Sequence, residues 1–147
     1  GKSGWLVDDL IERIRSHPEN GGQLFWLNNA SDECLEDLYD RATCLLAASE
    51  AEGFGLPLIE SARRGLPILA RDLPVFREVA GSAAYYFADT SDAGLSGSIA
   101  HWLALYHEGK APTPDALAWL TWRQSASQLI SILPTSHDSN TEGIASC

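Results

Sequence analysis

The sequence predicts an α/β fold in which a parallel sheet is covered by helices on both faces. Two observations lead there: short, continuously apolar runs alternate with segments of helical periodicity, and Gly or Pro stands at most of the junctions. A strand that is apolar throughout needs cover on both sides. Helices lying between successive strands supply that cover as crossovers.

The elements follow in order. Residues 7–17 carry Val7, Leu10, Ile11 and Ile14 at helical spacing behind Asp8 and Asp9, and Pro18 with Gly21 and Gly22 stops the helix. Gln23 to Leu27 is apolar enough to be expected as a buried strand. Ser31 is a natural N-cap for a second helix, with Leu35, Leu38 and Tyr39 on one face and Ala42 near its end. Residues 44–48 form the next apolar run. Pro57 is suited to the first turn of a third helix that ends at Gly65. Residues 66–70 return as a strand, residues 74–80 form a short helix closed by Gly81, and residues 83–87 form a fourth strand. A longer helix spans 92–106, and a last one runs from about Asp115 to Leu133. The polar residues 135–147 are expected to be a disordered tail. The first helix has no strand before it, so residues 1–134 are expected to be a domain lacking its first strand or strands.

The 147 residues hold ten Lys plus Arg against twenty Asp plus Glu, for a net charge of −10 spread over both halves. An acidic chain without a basic stripe is not built to bind nucleic acid. No apolar run is long enough to span a bilayer, and three cysteines without C-x-x-C spacing outline neither a disulfide framework nor a zinc site. A cytoplasmic location is expected, with peripheral attachment to the inner face of the membrane in the parent protein. The four histidines are scattered and lack metal-ligand spacing.

The informative stretch is residues 49–60, S-E-A-E-G-F-G-L-P-L-I-E, which follows an apolar run and opens a helix. That position is the carboxyl end of a parallel sheet, where open α/β folds bind ligands. Gly53 and Gly55 permit positive φ and close approach of a ligand to the main chain. The amides near Phe54, Gly55 and Leu56 stand at a helix N-terminus, which favours a phosphate. Glu60, expected in the first turn of that helix, and Glu52 in the loop would repel the anion, so sugar hydroxyls are their natural partners. Each feature alone has a plain structural role as a turn, a dipole partner or a solvated charge. Their conjunction points to a site. Arg71 and Asp72, at the end of the following strand, are secondary candidates for facing the same crevice.

The run E-G-F-G-L-P-L-I-E, with Glu52 and Glu60 separated by seven residues, resembles the E-x7-E signature of the retaining nucleotide-sugar glycosyltransferases of family 4. The flanks agree: Ser31-Asp32-Glu33 with Leu35, Leu38, Tyr39 and Ala42; Gly65 to Ala70; Pro74 with Glu78 to Gly81; and Trp119 to Arg123 with Ser125 and Ala126. The resemblance runs from about Gly4 to Leu133. It implies the Rossmann-like C-terminal, nucleotide-sugar-binding domain of a two-domain GT-B enzyme.

What the resemblance implies is transfer of a hexosyl unit from a nucleoside diphosphate sugar to an acceptor hydroxyl of a glycan or glycolipid, with retention. Glu60 then corresponds to the acid on the ribose hydroxyls and Glu52 to the acid by the transferred sugar, the catalytic candidate. Gly53, Phe54, Gly55 and Leu56 hold the donor's phosphate and sugar. The nucleotide sugar is a substrate, no further cofactor is implied, and the family works without a metal. An Arg and a Lys that stabilise the leaving diphosphate lie upstream in the family, where no segment here matches them. The N-terminal domain of the same polypeptide is likewise an expected partner. Ala48 replaces the family's Pro before the motif Ser49. Gly4-Trp5 and the Thr121 to Ala126 run resemble bacterial mannosyl- or rhamnosyl-type enzymes and point to GDP-mannose, for use in polysaccharide or glycoconjugate assembly. The alternative is a non-catalytic nucleotide-sugar-binding or interaction module with the same fold.

Overall fold

The computed structural model describes residues 8–133. In order, the elements are α1 (Asp8–Arg15), α2 (Asp32–Arg41), β1 (Leu45–Ala47), α3 (Leu56–Arg63), β2 (Ile68–Arg71), α4 (Pro74–Ala80), β3 (Ala84–Phe87), α5 (Asp92–His107) and α6 (Trp122–Ile132). Single 3-10 turns lie at Gly81–Ala83 and Pro114–Ala116. The expected tail, residues 135–147, lies outside the described residues, as do Gly4 and Trp5.

The three strands form one parallel sheet in the order β1-β2-β3, with Leu45 opposite Ile68 and Ile68 opposite Ala84. Strand alternation divides β2 between two cores. Ile68 and Ala70 pack with Leu58 of α3 and with Phe76 and Ala80 of α4. Leu69 turns the other way, to Phe87 and to Trp102 of α5. Helices therefore cover both faces, as the uninterrupted apolar strands require. Among the described residues, Ser61 is the one buried polar side chain; its Oγ donates to the Leu66 carbonyl at 2.9 Å. That bond ties the end of α3 to the entry of β2.

Three expectations need correcting. The run Gln23 to Leu27 is not a strand: it makes only an isolated bridge at Leu24, and Phe25 is 62% exposed. The cause is local, because the Glu19 carbonyl accepts from the N–H groups of Gly22, Gln23 and Leu24, while Gly21 N–H donates to the Leu24 carbonyl. Donors gathered into a turn are not available for a ladder. The described sheet therefore has three strands where four were expected.

The last helix begins at Trp122, not near Asp115. Pro114–Ala116 closes a single 3-10 turn and Leu117 leaves it as buried, extended chain. Thr121 then caps α6 reciprocally. Its Oγ1 accepts from Gln124 N–H, and Gln124 Oε1 accepts from Thr121 N–H at 2.8 Å. The chain divides into two compact units after Leu117, and α6 lies in the second.

The third correction concerns Glu60. The helix starts at Leu56, so Glu60 is in its second turn rather than its first. Among the described residues, no helix is long and apolar enough to cross a membrane.

Candidate functional site

The loop from Ala48 to Gly55 leaves the carboxyl end of β1 and feeds α3. Gly55 is the N-cap of α3 at φ 65° and ψ 27°, a left-handed conformation that costs a residue with a Cβ about 1–2 kcal/mol. A Cβ there would also come within 3.3 Å of Val79 Cγ2 and 3.6 Å of Phe76 Cδ1, both on α4. Gly55 is thus required twice, by its backbone angle and by its neighbours. Gly53 is different. It is absent from the glycines with positive φ, and a Cβ on it would meet nothing within 4 Å, so neither reason applies to it. No side chain caps the N-terminus of α3; Pro57 has no N–H and Leu58 N–H donates to the Gly55 carbonyl at 3.0 Å, so the Leu56 N–H is the first-turn amide left open, beside the exposed Phe54 and Leu56 side chains.

The two acids have separate partners. Glu52, half-buried, folds back on its own loop, where Oε1 accepts from Gly53 N–H at 3.1 Å and from Phe54 N–H at 3.4 Å. Glu60 is exposed and turns toward α2, where its Oε2 accepts from the Tyr39 hydroxyl at 3.1 Å. Burial, with the neighbouring Glu60 charge and this bond behind it, pushes the Tyr39 hydroxyl up to about 12. Glu60 and Tyr39 line a hollow of about 250 Å3 between α2 and α3, together with Asp32, Leu35, Glu36, Arg63 and Arg64. Glu52 is not among its lining residues.

Arg64, which also lines this hollow, is paired with two acids of α2. One guanidinium nitrogen reaches Glu36 at 2.8 Å and the other reaches Asp40 at 2.7 Å. These bonds hold its pKa above the ordinary arginine value. Ser31 caps α2 as the sequence predicts, its Oγ accepting from Cys34 N–H. At the end of β2, Asp72 is paired with Arg77 through contacts of 2.6 and 2.8 Å. The Arg77 guanidinium also lies 4.2 Å over the Tyr86 ring. Asp72 therefore has a partner on α4, whereas the buried Arg71 Nε has none. Among the described residues, no group of three His, Cys, Asp or Glu side chains is arranged to hold a metal.

Two residues of the hollow, Tyr39 and Arg64, were not singled out by sequence. In the sequence Tyr39 shares the apolar face of α2 with Leu35 and Leu38, and Arg64 stands in a short basic pair with Arg63 amid acids. The partners of both lie more than twenty residues away, so no short-range pattern shows them.

A family model described as "Glycosyl transferases group 1" matches residues 6–114. The chain belongs to this family. It is 48% identical over 134 residues to the serotype-specific mannosyltransferase WbdA of Escherichia coli, a match covering 91% of this chain and 16% of that protein. The O-antigen chain mannosyltransferase B of Escherichia coli is 33% identical over 92 residues, covering 63% of this chain and 24% of its own length. The chain thus spans about a sixth of the length of the WbdA relatives it matches. A solved structure, the pneumococcal O-GlcNAc transferase GtfA in complex with UDP and GlcNAc, superposes with a TM-score of 0.49 at 26% identity, over 71% of this chain and 22% of that one.

Proposed function

We propose that this glycosyl transferases group 1 chain is the donor-binding half of a retaining mannosyltransferase. In this reading it binds GDP-mannose and serves transfer of the mannosyl unit to a glycan or glycolipid hydroxyl in O-antigen assembly. The observation that carries the reading is the pairing of an uncapped α3 N-terminus at Gly55 with an acid, Glu60, that opens onto a hollow on the same helix. Membership of the family and 48% identity to proteins named mannosyltransferases support the chemistry.

In this reading the nucleoside lies along α3. The ribose hydroxyls donate to Glu60, which carries them as charge-assisted bonds, and the base enters the hollow toward α2. The diphosphate meets the open amides of Gly55 and Leu56, where the helix dipole and unpaired N–H groups favour an anion. Glu52 spends Oε1 on its own loop, so Oε2 is the atom left to accept from hydroxyls of the transferred sugar. Cleaving the sugar–phosphate bond leaves positive character on the sugar ring and negative charge on the departing diphosphate. Donors fixed beside that diphosphate stabilise the charge as it develops, without reorganising. The acceptor site and the remaining wall of the cleft belong to the N-terminal domain of the parent polypeptide.

The test is calorimetric titration of the full-length protein with GDP and UDP, paired with transfer from GDP-mannose followed by NMR at the anomeric carbon. Tighter binding of GDP, its weakening by about tenfold or more in Glu60→Ala, and a product of unchanged anomeric configuration are expected. Nucleotide binding that ignores Glu60→Ala, with no sugar transferred, favours the non-catalytic module instead.

A further inference from the structure

We infer that Tyr39 is the positioning residue for Glu60: its hydroxyl holds Oε2 so that Oε1 is presented to the ribose before the nucleotide arrives. This inference deepens the donor-site reading above and rests on it.

An exposed glutamate on a helix has three rotatable torsions and no reason to keep one rotamer, so binding a ligand must first order it. The Tyr39 hydroxyl removes much of that freedom with one bond of 3.1 Å. The donor side is itself fixed. Tyr39 is half-buried, and its turn of α2 is tied to the end of α3 at two further points, because Arg64 grips Glu36 and Asp40 on either side of it. Arg64 follows Glu60 by one helical turn, so the clasp and the hydroxyl bond join the same turns of the same two helices. Committing Arg64 to Glu36 and Asp40 also gives its charge partners other than Glu60.

The direction of the bond matters. The hydroxyl stays protonated across the physiological range because its pKa is pushed up to about 12, so it acts as a donor to the carboxylate. A carboxylate oxygen that accepts one bond keeps a second lone pair, and Oε1 keeps both. The acid is oriented without being used up.

The test is a double-mutant cycle in the full-length protein, read by GDP titration. Tyr39→Phe keeps the ring and loses the donor. It is expected to raise the Kd for GDP by about three- to tenfold, with kcat at saturating donor nearly unchanged and KM raised. In the Glu60→Ala background the same substitution is expected to have no further effect, and with 2′,3′-dideoxy-GDP the penalty disappears. If Glu60→Ala weakens GDP binding while Tyr39→Phe does not, the positioning role is wrong and the donor site stands. A Tyr39→Phe penalty that persists without Glu60, or without the ribose hydroxyls, reduces Tyr39 to a packing residue. Indifference of GDP binding to Glu60→Ala removes the donor-site reading and this one with it.

Discussion

The N-cap of α3 and the last turn of α4 are in contact: a Cβ on Gly55 would stand 3.3 Å from Val79 Cγ2. The loop that carries the E-x7-E motif is therefore pressed against a neighbouring helix, and its backbone is left-handed where it is pressed. Gly55→Ala adds a methyl in both respects. It should destabilise the protein by about 1–2 kcal/mol from the backbone angle alone, with a further cost from moving Val79. Denaturant unfolding measures this, and nucleotide binding should weaken along with it as the loop shifts. Gly53→Ala is the control, since neither strain applies there. Equal stability of the two variants would contradict the geometry.

Glu52 combines a loop contact with its proposed contact to the sugar, and two substitutions separate them. Gln at position 52 retains a carbonyl that accepts from Gly53 and Phe54 N–H, whereas Ala removes the acceptor. Glu52→Gln should leave nucleotide affinity near the parent value while kcat falls by about ten- to a hundredfold, the range for losing one charge-assisted bond. Glu52→Ala should lose loop order as well, and raise the Kd for GDP. Steady-state kinetics beside titration reads the split; a Gln variant with full turnover would exclude Glu52 from the reacting sugar.

The buried Ser61 hydroxyl makes a third, purely structural prediction. Ser61→Ala leaves the Leu66 carbonyl without this donor and should cost about 1 kcal/mol. Ser61→Val forces two methyls into a fully buried position and should cost about 1–3 kcal/mol. Thermal or urea unfolding distinguishes them, and a stabilising Val would mean that the α3–β2 junction is looser than its burial implies.

Much of the fold is legible in the sequence because its determinants are local. Ser31 capping α2, Gly65 following α3 and Gly81 closing α4 are one-turn effects, and the apolar character of β1 to β3 follows from burial on two faces. Gln23 to Leu27 misleads because hydropathy alone does not show that Glu19 gathers the nearby N–H groups. The start of α6 misleads because residues 115–121 have helix-compatible composition, and the Thr121–Gln124 box decides where the helix begins. At the site, the motif locates the loop and both acids but not their directions. Those depend on how α2 packs on α3, which brings Tyr39 to Glu60 across 21 positions.

The Asp72–Arg77 pair yields a pH signature whose sign is fixed. Arg77 donates two bonds to the Asp72 carboxylate and holds its pKa below the ordinary aspartate value. A group whose pKa is lowered on folding contributes stability that is fully present above its unfolded value, and loses it as pH falls through the folded value. Arg77→Met removes that contribution, and with it the stacking of the guanidinium on Tyr86. The difference in Tm between parent and variant should then be constant above about pH 5 and shrink steadily below about pH 4. The stacking contribution, which does not depend on the carboxylate, should persist as a residual offset in acid. Raised salt should diminish the first component more than the second, because both charged groups are partly open to solvent. Melting curves across the acid range at two ionic strengths test both statements. A Tm difference independent of pH would mean that Asp72 keeps its unfolded pKa and that the pair contributes geometry without electrostatic stabilisation.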